Sequence, residues 1–136
     1  MSVIDIHTHS LSKGWLELVK SKGYPDLEIG KTPSGLERLI EYGTDSMTFH
    51  PAMFDYKQRI ADMDKHGIDI SIVSLTSPNV FWGSKETSIE CASLINGDMA
   101  EAQSRYPDRL KFFATIPWEF PDEAIIELDR AIGLGA

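Results

Sequence analysis

His7 and His9, in the run Asp5-Ile6-His7-Thr8-His9, are the residues of this chain best suited to chemistry. The apolar-rich run over residues 3–6 reads as a β-strand. Side chains alternate faces along a strand, so both imidazoles point the same way, roughly 6–7 Å apart at their Cα atoms. Two imidazoles on one face converge on a divalent metal at about 2.0–2.1 Å per bond. They make only part of a site, because a catalytic zinc usually takes three protein ligands and a water. No other residue in the sequence stands out as a third ligand. An accidental His-x-His arises about one time in ten in a chain with four histidines. The position of this one, ending a first strand and followed by a long connection, argues against accident.

Such a pair works only where other elements hold it at the open end of a sheet. Further strands are predicted over residues 68–75, rich in β-branched side chains, and over 110–116, stopped by Pro117. Short apolar runs of this kind suit strands covered on both faces, as in parallel sheets. A helix over 56–66 carries Ile60 and Met63 on one side and ends at Gly67, a C′ residue. A long helix over 87–106 shows one apolar stripe of Ile89, Ala92, Ile95, Met99, Ala102 and Tyr106. Thr87 with Glu90 reads as its capping box. After Asp122 a last helix turns Ile125, Leu128 and Ile132 inward. The connection over about 10–55 is expected to hold short helices over 13–22 and 34–42. Strands alternating with helices give an α/β fold with a parallel sheet. The pair then lies at the carboxyl end of strand one, where such folds bind ligands.

Composition narrows the partners. The 136 residues suit a single domain, 1–136, with the long loop insertion at about 10–55. Thirteen basic against 21 acidic residues give 13 − 21 = −8. That balance argues against nucleic acid or an anionic membrane as partner. No apolar run approaches the ~18 residues of a membrane span, and no secretory signal is read at the amino terminus. One cysteine, Cys91, fits a reducing compartment, so the expected location is cytoplasmic. Cys91 faces away from the stripe of its helix and reads as an inert thiol.

Other residues carry weaker signals. The segment 74–84 follows strand two and offers Ser77, Asn79, Phe81 and Trp82 as pocket-lining groups. Phe81 and Trp82 serve equally well as a cap on the core. Trp118, after strand three, has the same two readings. Trp15 either shields the metal or anchors its loop. His66, in the last turn of its helix, reads as structural.

The run Ile4-Asp5-Ile6-His7-Thr8-His9 resembles the opening strand of the amidohydrolase superfamily, in its aminocarboxymuconate-semialdehyde decarboxylase-like branch. The run from Arg59 to Asp69, the segment Asn96-Gly97-Asp98, Tyr106 to Leu110, Ala114 to Pro117 and Glu127 to Arg130 resemble that branch in the same order. The resemblance covers the whole chain but only the amino-terminal part of the family fold. It implies about three β/α units of a metal-dependent (β/α)8 TIM barrel, a fold that needs ~250 residues. His7 and His9 match the strand-one metal ligands, and the metal implied is a divalent ion, usually zinc. The remaining ligands and the acid/base groups come from later strands in the family, so no catalytic residue is expected within this chain. His50 falls where carboxymuconate-type decarboxylases carry a substrate-gripping arginine, and it, Ser77 and Trp82 are the candidate substrate-binding residues.

The function implied is a metal-dependent carboxy-lyase, a non-oxidative decarboxylase of a small carboxylated substrate, represented here by its inactive amino-terminal part. A metal-dependent hydrolase of a lactone or amide shares the same ligands. A non-catalytic half-barrel that associates with itself or a partner through open sheet edges, as a homo-oligomer for instance, is the reading from another class.

Overall fold

Alternating strands and helices resolve into two sheets in a computed structural model that describes residues 1–136. In chain order the elements are β1 (Ile4–His9), α1 (Lys13–Lys22), β2 (Leu27–Lys31), β3 (Glu37–Glu41) and β4 (Thr44–Thr48). A 3₁₀ turn at Pro51–Met53 leads to α2 (Tyr56–His66), β5 (Ile70–Ser74), α3 (Lys85–Arg105), β6 (Leu110–Phe112) and α4 (Pro121–Gly133). The parallel sheet has the order β1-β5-β6, and β2-β3-β4 form a separate antiparallel sheet.

The parallel sheet is covered on one face, not two. Ser71 and Val73 of β5 are buried, whereas Ile70, Ile72 and Ser74 on the alternate face are half-exposed. On β1, Ile4 and Ile6 are exposed. No element of the chain lies across that face, so its apolar side chains meet solvent. Helix α2 forms as expected: the Asp55 side chain accepts from the backbone N–H groups of Lys57 at 2.8 Å and Gln58 at 3.2 Å. It stops at Gly67, whose φ of +69° suits a glycine C-cap.

Helix α3 starts earlier than its spacing suggests. Ser84 is the N-cap, its Oγ accepting from Thr87 N at 3.3 Å, so Thr87 and Glu90 do not form the expected capping box. The stripe of Ala92, Ile95, Met99 and Ala102 is buried as predicted, but Cys91 is buried with it. Helix α3 is packed from two sides, by the sheet and by α1, which widens its covered face. Burial pushes the Cys91 thiol up to about 12.

The expected helix over 34–42 is instead strand β3. Leu39 is buried while its neighbours are half-exposed, and each end of the strand is set by a turn. Tyr42 and Gly43, at φ +48° and +77°, make the two-residue hairpin to β4. The helix expected over 13–22 is present as α1, capped by Ser12, whose Oγ accepts from Trp15 N at 2.9 Å. Lys20 ties α1 to β3 by pairing with Glu37 at 3.2 Å, and Lys22 reaches Glu90 of α3 at 2.5 Å. The long connection is therefore built into the main core through Leu11, Trp15, Val19, Leu27, Leu39 and Phe49.

Helix α4 presents the opposite face from the one predicted. Ala124, Glu127 and Ala131 are buried, while Ile125 and Ile132 are 61% and 56% exposed, with Leu128 also open. A polar clamp fixes this rotation. Asn96 of α3, fully buried, donates to the Thr115 carbonyl at 2.7 Å and to Glu127 Oε1 at 2.6 Å, and accepts from Thr115 N at 2.8 Å. Arg130 then donates to both Glu127 oxygens at 2.8 and 2.7 Å, and to the Ser93 carbonyl at 2.8 Å. These bonds hold the Glu127 side of α4 inward and leave its isoleucines in water. The third strand is regular only over Leu110–Phe112, because beyond it Thr115 is held by Asn96 rather than by a ladder partner.

Candidate metal centre

Strand β1 pairs with β5 through Ile4↔Ile70 and Asp5↔Ser71, then through Thr8↔Val73 and His9↔Ser74. Two residues of β1, Ile6 and His7, thus stand opposite one of β5, Ile72, a one-residue bulge. The Asp5 carboxylate accepts from His7 N at 3.1 Å within it. The bulge resets the alternation. Asp5 and Thr8 both stand beside buried β5 residues on the helix-covered side, and His9 stands beside Ser74 on the open side.

The two imidazoles come together there, their centroids 5.1 Å apart and their planes at 80°. Ser74 Oγ lies 3.2 Å from His9 Nδ1, which holds the ring and leaves Nε2 uncommitted. His7 is exposed and His9 half-exposed. Two imidazoles with free ring nitrogens suit a divalent cation of borderline softness. The donor set fits a metal as a partial site, for no group of three or more His, Cys, Asp or Glu side chains assembles anywhere in the chain.

The segment after the pair is firmly tied. Ser10 N donates to the Ser74 carbonyl at 3.0 Å, and Ser10 Oγ meets Tyr56 Oη at 2.8 Å. Burial raises the Tyr56 hydroxyl above its ordinary value. From α2, Arg59 reaches back to β1: Nη1 donates to Thr8 Oγ1 at 2.7 Å and Nη2 to the His9 carbonyl. A cavity of about 390 Å³ runs beside Arg59, bordered by Asp5, Thr8, Asp62 and His66. The sequence singled out neither Arg59 nor Ser74 as part of the site.

The three candidate substrate contacts fare differently. Trp82 is 4% exposed and lies in the core. Its Nε1 donates to the Asn79 carbonyl at 3.1 Å, and Trp15 Nε1 donates to the same oxygen at 3.2 Å. Trp15 is fully buried and anchors its loop rather than shielding the histidines. Ser77 is exposed on the β5–α3 loop. His50 is exposed at the start of the 3₁₀ turn and borders no part of the cavity by His9. The open aromatic surface at the strand ends is a different pair, Phe81 and Trp118, 5.4 Å apart at 70°, with Trp118 62% exposed. A buried indole needs an acceptor, and Asn79, at φ +62°, turns its carbonyl toward Trp82 instead of Trp118.

No family model matches the sequence. The chain is 27% identical over 125 residues to 2-amino-3-carboxymuconate-6-semialdehyde decarboxylase of Caenorhabditis elegans, covering 90% of this chain and 31% of that protein. It is 40% identical over 75 residues to γ-resorcylate decarboxylase of Rhizobium radiobacter, covering 54% of this chain and 23% of that protein. The chain is thus similar to part of these decarboxylases. Among solved structures, dihydroxybenzoic acid decarboxylase from Polaromonas, with bound manganese and the inhibitor 2-nitroresorcinol, superposes with a TM-score of 0.67. That match is 24% identical and covers 99% of this chain and 36% of that one. The chain spans about a third or less of the length of the curated amidohydrolase relatives it matches. Its three parallel strands and their helices have the fold of an amino-terminal portion of a (β/α)8 barrel. No helix of it is long and apolar enough to cross a membrane.

Proposed function

We propose that this chain supplies the strand-one half of the metal site of an amidohydrolase-type carboxy-lyase acting on a small carboxylated, aromatic substrate. The observation that carries this reading is the convergence of the His7 and His9 rings, 5.1 Å apart, at the carboxyl end of β1. His7 and His9 would hold the ion, with Ser74 fixing the His9 ring. Zinc suits two imidazoles, and manganese is the ion of the Polaromonas enzyme. When bound, a divalent ion polarises and orients a carboxylate or hydroxyl.

The chain's own residues would do the rest of what this half contributes. Phe81 and Trp118, packed edge to face, offer an apolar corner beside the strand ends, suited to an aromatic ring. Ser77 and His50 would contact substrate only from the exposed rim, and Trp82 would back that corner from the core. Further ligands and the proton donor would come from strands this chain does not hold. The relatives' names favour carboxy-lyase over hydrolase. The domain assignment 1–136, with residues 10–55 elaborating the first β/α connection, belongs to the same proposal, as does a cytoplasmic location for a chain whose one cysteine is a buried thiol.

Metal uptake tests the reading. The full chain equilibrated with Zn²⁺ or Mn²⁺ should retain ion weakly by elemental analysis, and the double variant His7→Ala with His9→Ala should retain none. Equal metal content in the double variant removes the proposal. This chain alone should release no carbon dioxide from dihydroxybenzoates. One observation favours the association reading as well: the open apolar face of α4 at Ile125 and Ile132 suits a second copy or a complementary barrel half. Sedimentation velocity should then find species larger than the monomer.

A further inference from the structure

We propose that Arg59 is a positioning residue for the histidine pair, gripping the Thr8–His9 segment from the covered side so that both imidazoles project from the open side. The inference rests on the reading of His7 and His9 as ligands. Strand β1 is an edge strand with one neighbour, and its bulge leaves the stretch between Asp5 and Thr8 without ladder partners. A one-residue slip there would turn His9 to the covered face, since side chains alternate. Arg59 reads the correct arrangement at two consecutive residues, through the Thr8 hydroxyl and the His9 carbonyl. Only with Thr8 pointing inward do both contacts form, and then its neighbours His7 and His9 point out.

The energetic cost of this guanidinium argues that its chemistry is used. Arg59 is half-buried, and its hydrogen bonds go to the Thr8 hydroxyl and the His9 carbonyl rather than to a carboxylate. Its Nε is buried with no acceptor. A methionine would pack α2 against the sheet without burying a charge. A lysine would keep the charge but could not serve two acceptors with a planar fork.

Two measurements on the full chain decide it. The first uses Co²⁺, whose visible absorption reports imidazole ligation, as the probe. Arg59→Met should raise the Co²⁺ dissociation constant by about 10–100-fold, the range typical of groups that orient a ligand. Arg59→Lys should fall between it and the parent. Millimolar guanidinium should restore binding to Arg59→Ala, because the adjoining cavity admits it. Parent-like Co²⁺ affinity in folded Arg59→Met overturns the proposal. Should that variant fail to fold, Thr8→Val decides instead: a several-fold loss supports the grip and no loss overturns it. The second measurement needs no metal. The nuclear Overhauser contact between the His7 and His9 rings should be present in the parent and absent in Arg59→Met, and its persistence also overturns the proposal. If the parent binds no Co²⁺ yet loses the ring contact on Arg59→Met, the ligand reading fails while the grip stands.

Discussion

Asn96 and His9 each stand beside the end of a parallel strand, and their surroundings differ in one respect. Around Asn96 every polar group is matched within the chain: Thr115 takes both ends of the amide, Glu127 takes its second donor, and Arg130 closes on Glu127. Around His9 the neighbours orient the ring and stop short of saturating it, with one contact from Ser74 and free nitrogens on both imidazoles. The first region is closed and holds α3, α4 and the third strand together. The second is open, and its ring nitrogens keep bonding capacity that no group of the chain takes up. Buried polar groups that satisfy one another serve the fold. Groups that are positioned but left incomplete mark a site.

The contrast can be broken by substitution. Asn96→Ala should cost about 3 kcal/mol in urea unfolding, because it strands the Thr115 backbone and exposes the Glu127–Arg130 pair to imperfect solvation. A loss under about 1 kcal/mol would mean the closed region is not closed in energy. Cys91 sharpens the same side of the comparison. Its thiol keeps its proton to about 12 when folded, against 9.0 as the ordinary value. The unfolded chain therefore binds fewer protons in that window, and stability must fall as pH rises from about 9 to 12. The slope contributed is up to ~1.4 kcal/mol per pH unit, and Cys91→Ala should flatten it in urea midpoints measured across that range. On the open side, His7→Ala with His9→Ala should move stability by no more than about 0.5 kcal/mol while abolishing metal uptake. A large destabilisation would make the imidazoles structural. Smallest of all should be Ile125→Lys with Ile132→Lys on α4, within about 0.5 kcal/mol by unfolding yet with reduced self-association by sedimentation.

The open region was the more legible in sequence. The pairing of His7 with His9 follows from strand period and needs nothing distant, although the bulge that places Asp5 on the other side does not show in the spacing. The capped helix ending at Gly67 and the three parallel strands likewise follow from local pattern. What stayed hidden depends on remote partners. Arg59 binds residues 50 and 51 positions away, so nothing near it in sequence announces the grip. The apolar stripe of α4 pointed Ile125, Leu128 and Ile132 inward, and only Asn96, on another helix, explains why Glu127 went in instead. The stretch 34–42 has apolar spacing that suits a helix, and the deciding signal was Tyr42-Gly43, a pair of left-handed residues that makes a hairpin. Trp82 and Trp118 look alike as sequence, and the acceptor at Asn79 sorts them.

The shared carbonyl of Asn79 also makes the chain its own optical gauge. Of the three tryptophans, Trp15 and Trp82 are bound to one oxygen in the interior, and Trp118 alone faces solvent. Acrylamide should therefore quench one indole and spare two. A ring settling against Phe81 would dim the red edge of the emission, whereas melting of the whole molecule would shift the blue edge. One fluorescence spectrum would then separate occupancy at the strand ends from loss of structure.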